Sequence, residues 1–201
     1  MIESLPLTTA RLYTFEQQRM LTNASSFFFE RDERLFLVTS RHVMFDEPSK
    51  HFPDRIEIEI ERSALPEPTV YRAFTPKHLL SAQHQIEIGS SLLIVGFPLG
   101  FHDTLHHMPV ARHAVIASSF GLRFQGQGYF LTDARTHRGT SGAPVVIRTS
   151  DWAPIEGDLP WMLLGIHSAR LDVGTRDLIL DEALGLNCAW YADILLTLTE
   201  S

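Results

Sequence analysis

The chain has a single cysteine, Cys188, in 201 residues. That excludes an internal disulfide and suits a reducing compartment. Long hydrophobic runs are absent too. No stretch approaches the roughly 18 consecutive apolar residues of a membrane span. The opening Met1-Ile2-Glu3-Ser4-Leu5-Pro6 lacks the basic start and apolar run of a signal peptide, so a cytoplasmic protein is expected. Basic charge is scarce: the formal net charge is −7, which argues against nucleic acid or an anionic membrane as the main partner. No low-complexity segment or internal repeat is found. Helical periodicity is confined to Tyr191–Leu198, where Ile194, Leu195 and Leu198 share one side.

What is present reads as β structure. Hydrophobic residues make up 44% and charged residues 20%, ordinary for a globular protein. The length suits one domain or two small barrels sharing an interface. Short β-type runs recur at Ser26–Glu30, Leu35–Thr39, Arg55–Glu61, Ser91–Gly96, Ala114–Ser118, Tyr129–Thr132, Pro144–Arg148, Met162–His167 and Leu186–Tyr191. Turn residues such as Pro53, Gly89, Pro98-Leu99-Gly100 and Gly126-Gln127-Gly128 separate them, the pattern of a sandwich or barrel. In Arg55–Glu61, three isoleucines alternate with three glutamates, which predicts a strand with one buried face.

The chemistry concentrates in Gly139-Thr140-Ser141-Gly142-Ala143-Pro144, just ahead of an apolar strand. A serine nucleophile needs an exposed hydroxyl on a tight turn, with backbone N–H groups free to hold an oxyanion. Glycines at 139 and 142 permit such a turn. Far upstream, Phe36-Leu37-Val38-Thr39-Ser40-Arg41-His42-Val43 ends an apolar strand in a histidine, the side chain best suited to take the serine proton near neutral pH.

At these residues the chain resembles the trypsin-like serine proteases of chymotrypsin fold, and more closely their HtrA-like bacterial branch. The likeness includes Thr132-Asp133-Ala134 ahead of the serine motif and the strand and turn Leu93-Ile94-Val95-Gly96-Phe97-Pro98-Leu99-Gly100. It implies an all-β, double Greek-key barrel with a C-terminal helix. Residues 1–75 would form the N-terminal barrel with His42, and residues 76–201 the C-terminal barrel with Ser141. Thr75-Pro76-Lys77-His78 looks like the crossing segment between them. The resemblance further implies Ser141 as nucleophile, His42 as base, and an oxyanion hole from the N–H groups of Gly139 and Ser141.

In that family a carboxylate between the histidine and the serine orients the imidazole. Asp46, Asp54, Asp103 and Asp133 lie in the interval. Asp54, heading the Ile/Glu strand, is the best match, yet it follows His42 closely, so the first barrel reads as shortened. Either Asp54 completes a triad, or the acidic position is lost and a dyad remains, with Glu57 a conceivable substitute. Leu164-Gly165-Ile166-His167-Ser168-Ala169 resembles the strand lining the specificity pocket. His167 and Thr136 match residues found in relatives that cut after Glu or Gln, and Arg135 would reinforce an acidic preference. The alternative is that His167 packs in the barrel and Thr136 is a turn residue. The loop Phe101-His102-Asp103-Thr104-Leu105-His106-His107 holds metal-type ligands, but it reads as a polar loop and no metal is expected. The chain is thus expected to be a serine endopeptidase acting on peptide or protein without a cofactor. The competing expectation is an impaired pseudo-protease that binds peptide in the same cleft.

Overall fold

The computed structural model describes residues 2–16, 18–44, 59–60, 65–80, 86–149, 159–171 and 185–200. The expected all-β architecture is observed. The first half forms a four-stranded antiparallel meander: β1 (Thr9–Glu16), β2 (Arg19–Arg31), β3 (Arg34–Val38) and the short β4 (Glu59–Ile60), in that spatial order. β1 lies outside the expected strands. Its large apolar residues Tyr13 and Phe15 face solvent, and no glycine or proline marks the turn into β2, so the usual periodicity and turn signals are missing. Among the described residues between β3 and β4 is a short helical turn, α1 (Arg41–Met44). Of the predicted Arg55–Glu61 strand, the described part is Glu59–Ile60, paired with Leu35 and Phe36.

The second half closes into a six-stranded barrel. Its strands are β5 (Ser91–Gly96), β6 (Val110–Ile116), β7 (Tyr129–Asp133), β8 (Pro144–Arg148), β9 (Trp161–Arg170) and β10 (Leu186–Tyr191), in the order β10-β7-β6-β5-β8-β9 with β9 returning to β10. Closure removes the free sheet edge that an open array would leave. A short C-terminal helix, α2 (Ile194–Leu198), lies within the span that periodicity predicted and buries Leu195.

The halves meet over shared apolar packing. Phe27, Phe29, Phe36 and Phe74 from the first half pack in one cluster with Val95, Val146, Leu163, Ile166 and Leu195 from the second. A separate cluster, including Leu92, Ile94, Phe130, Met162 and Leu164, fills the barrel. The chain crosses between the halves through residues 74–79. Phe74 bridges Phe29 of β2 and Leu79 bridges Leu163 of β9. Between them a 3-10 turn, Pro76–His78, is capped by Thr75, whose N–H donates to His78 Nδ1 at 2.9 Å. Burial lowers the His78 pKa below its ordinary value.

Candidate active site

His42 is positioned by the hydroxyl residues at the end of β3. Thr39 Oγ1 donates to the Ser25 carbonyl at 2.9 Å, and Ser40 Oγ donates to the His167 carbonyl at 3.0 Å. These bonds tie the start of α1 to β2 and to β9. α1 then buries Val43 and leaves His42 exposed on an open cleft of about 440 Å³. Residues 22–24 of β2 form one wall of this cleft, and Leu99, Arg138 and Gly139 line it with Ser141. His42 and Ser141, far apart in sequence, therefore face the same space.

Most backbone polar groups of the serine turn can be followed to a partner. The carbonyls of residues 138 to 141 accept, in order, from Leu99 N–H at 2.6 Å, Ser25 Oγ at 2.7 Å, Ala143 N–H at 3.0 Å and Ser25 N–H at 3.0 Å. Thr140 N–H donates to His137 at 3.2 Å, and Gly142 N–H to the His167 carbonyl at 2.8 Å. Among the described residues, the N–H groups of Gly139 and Ser141 have no partner. A trans peptide points its C=O and N–H in opposite directions. The Arg138 carbonyl is held by Leu99, so the Gly139 N–H is turned away from that contact.

The two glycines are structural requirements here. Gly139 has φ +89°, and a Cβ on it would stand 2.5 Å from the Phe97 carbonyl. Gly142 has φ +85°, and a Cβ there would collide with the Ser25 carbonyl and Thr39 Oγ1. Both conformations disfavour side-chain-bearing residues.

The Ser141 hydroxyl donates to the Ser168 carbonyl of β9 at 2.8 Å. In this state its single proton is engaged with the strand edge rather than directed at an imidazole. Attack on a carbonyl from this position requires the hydroxyl to leave Ser168 first.

Of the residues expected to recognise a substrate side chain, His167 and Thr136 are buried. His167 is 2% exposed, and its Nδ1 has no hydrogen-bond partner among the described residues. Burial, assisted by the nearby charge of His42 when protonated, pushes its pKa down to about 4. The ring is therefore neutral at physiological pH. Thr136 is buried and donates its hydroxyl to Asn187 Oδ1 at 2.5 Å. Asn187 Nδ2 in turn donates to Ala134 and Gly185 carbonyls at 2.8 and 2.9 Å. Arg135 is exposed. Cys188 is half-buried, and desolvation raises its thiol pKa.

Asp54, Asp46 and Glu57 lie outside the described residues. Asp103 stands in an exposed loop, where its carboxylate meets His106 Nδ1 at 2.7 Å. No three metal-type ligands come together among the described residues, and no helix there is long and apolar enough to cross a membrane. Three residues that organise the site were not singled out from the sequence. Ser25 and Ser40 flank predicted β-type runs and Asn187 lies within one, and they become informative only once the strands that enclose them are known.

No family model and no curated protein sequence matches the chain. Solved structures do. A serine endoprotease from Yersinia pestis superposes with a TM-score of 0.58 at 15% identity, over 96% of this chain and 62% of that one. Rv3671c from M. tuberculosis H37Rv, in the inactive form of a serine-to-alanine mutant, superposes with a TM-score of 0.53 at 14% identity, over 96% of this chain and 85% of that one. The chain thus spans less than two thirds of the Yersinia protein. The architecture is the chymotrypsin-like protease fold, with a closed six-stranded barrel, a four-stranded sheet among the described residues of the first half and a small C-terminal helix.

Proposed function

We propose that this chain is a serine endopeptidase that cleaves peptide or protein through an acyl-enzyme. Ser141 is the nucleophile, His42 the general base, and the N–H groups of Gly139 and Ser141 form the oxyanion hole. The observation that carries this reading is the turn itself. The carbonyls of residues 138 to 141 are all held, while the Gly139 and Ser141 N–H groups have no partner among the described residues and lie beside a serine that shares a cleft with a histidine. Donors preset where negative charge develops are a large source of acyl-transfer catalysis. Asp54 is the proposed orienter of His42, and the two-part division at residue 75 gives each half one reacting side chain. Thr136, His167 and Arg135 are proposed to favour Glu or Gln before the scissile bond. A neutral His167 donates a hydrogen bond without adding charge, which suits the amide of Gln. The proposed setting is the cytoplasm, with no cofactor, nucleic acid or membrane involved.

The deciding experiment is labelling by a fluorophosphonate probe. Labelling of the parent that disappears in Ser141→Ala and His42→Ala supports the assignment. A folded parent that resists the probe and hydrolyses no activated ester overturns it. The bond from Ser141 Oγ to Ser168 favours a second reading, a pseudo-protease that holds peptide without turning it over. Peptide binding retained in Ser141→Ala, with an inert parent, would select that reading.

A further inference from the structure

Ser25 sits on β2, in the half of the molecule that lacks the nucleophile, yet it is completely buried against the serine turn. Each of its polar groups is spent there or on a segment that positions the reacting side chains. Its hydroxyl donates to the Gly139 carbonyl at 2.7 Å and accepts from Phe97 N–H at 3.0 Å. Its N–H donates to the Ser141 carbonyl at 3.0 Å. Its carbonyl accepts from Thr39 Oγ1 at 2.9 Å, three residues before His42.

We infer that Ser25 is a positioning residue that presets the Gly139 oxyanion donor through its hydroxyl. The inference rests on the oxyanion-hole reading of Gly139 and Ser141. Gly139 can adopt backbone conformations closed to other residues, so nothing in its own chemistry fixes its flanking peptides. The 138–139 peptide is held by Leu99 N–H on the Arg138 carbonyl, and the 139–140 peptide is held by His137 on one side and the Ser25 hydroxyl on the other. Without that hydroxyl, the Gly139 carbonyl and the Phe97 N–H become buried groups lacking a partner. Such groups seek a partner by rotating the peptide or admitting water. Either response moves the Gly139 N–H relative to Ser141. The Ser141 carbonyl stays bound to the Ser25 backbone in any variant, so the effect falls on the Gly139 donor.

The adjacent Ser26 supplies an internal control. It too is fully buried, but its hydroxyl donates to the Ala10 carbonyl of β1 at 2.9 Å, away from the serine turn. Ser25→Ala and Ser26→Ala each remove one buried hydroxyl from the same strand. Loss of a single oxyanion donor lowers kcat about 10²–10³-fold in a well-studied protease. Displacing one donor should lower kcat about tenfold or more in Ser25→Ala, with KM little changed. Ser26→Ala should keep the parental kcat, and Ser25→Thr, which retains the hydroxyl, should recover a large part of the loss. A kcat in folded Ser25→Ala within about twofold of the parent, or an equal loss in Ser26→Ala, would overturn the inference.

A second readout needs no turnover. In amide ¹H–¹⁵N spectra, the Gly139 resonance should move or broaden in Ser25→Ala and keep its parental position in Ser26→Ala. An unmoved Gly139 amide sinks the Ser25 assignment even if the parent is active. An inert parent with the expected amide change sinks the endopeptidase reading while leaving Ser25 as the residue that sets this peptide.

Discussion

The two halves of the molecule differ in how they bury their apolar residues. The barrel fills its own interior, with Leu92, Ile94, Phe130, Met162 and Leu164 enclosed by its six strands. The four-stranded sheet has no comparable separate cluster among the described residues. Its phenylalanines Phe27, Phe29 and Phe36 are buried against Val95, Val146, Leu163 and Leu195 of the other half. The sheet's ordered state therefore depends on the barrel, because a sheet face must be covered to be stable in water. The same dependence brings His42 to the cleft that Ser141 also lines. The interface that stabilises the sheet also sets the geometry of the cleft.

The strongest test of that asymmetry is Phe29→Ala. This side chain is fully buried in the shared cluster, and truncation of a buried Phe costs about 3–5 kcal/mol. Urea unfolding followed by circular dichroism should give one transition at lower midpoint, with Ser141 labelling lost in step with structure. Two separated transitions would show that the sheet stands without the barrel.

The next effect comes from pH and belongs to the barrel. The His167 pKa falls from 6.5 to about 4 on folding. The unfolded chain therefore binds the proton more readily, and stability declines as pH falls from about 6.5 through about 4. Integrated over that window the loss is about 3 kcal/mol. Burial of His78 works in the same direction. Denaturant midpoints measured across the window should fall with acid in the parent and much less in His167→Gln. An equal acid response in both proteins would remove His167 as its source.

The smallest expected effect is Asn187→Ala. It strips buried partners from Thr136, Ala134 and Gly185 without touching the interface. The expected loss is about 1–3 kcal/mol in thermal or urea unfolding, with the Ser141 labelling rate retained. A labelling rate that collapses while the fold persists would show that the barrel end at Asn187 is coupled to the nucleophile.

The halves also differ in how readily they are read from sequence. The predicted bounds of Ser91–Gly96, Pro144–Arg148 and Leu186–Tyr191 match those observed, since mainly apolar runs suit strands enclosed in a barrel. The predicted Ala114–Ser118 lies later than the observed Val110–Ile116, because His113 and Arg112 interrupt the apolar run. In the sheet, β1 was not anticipated, and β2 extends well before the predicted Ser26, through Thr22 and Asn23, whose polar side chains line the cleft or pair locally. The serine turn and the histidine segment stood out because glycine placement and residue order are local properties. Ser25, Ser40 and Asn187 did not, because a buried hydroxyl or amide declares its role only through partners that are distant in sequence. Asp54, the candidate that heads the Ile/Glu run, lies outside the described residues.

The crossing at residues 74–79 has a mechanical consequence. It is fastened to β2 through Phe74 and to β9 through Leu79, with only a capped 3-10 turn between the fastenings. A strut that short has little slack. The gap between imidazole and hydroxyl is then a dimension of the solid, fixed by the volumes of the side chains stacked behind it, rather than a distance sampled by a swinging hinge. Resizing those side chains offers a way to widen or narrow the cleft without altering any residue that lines it.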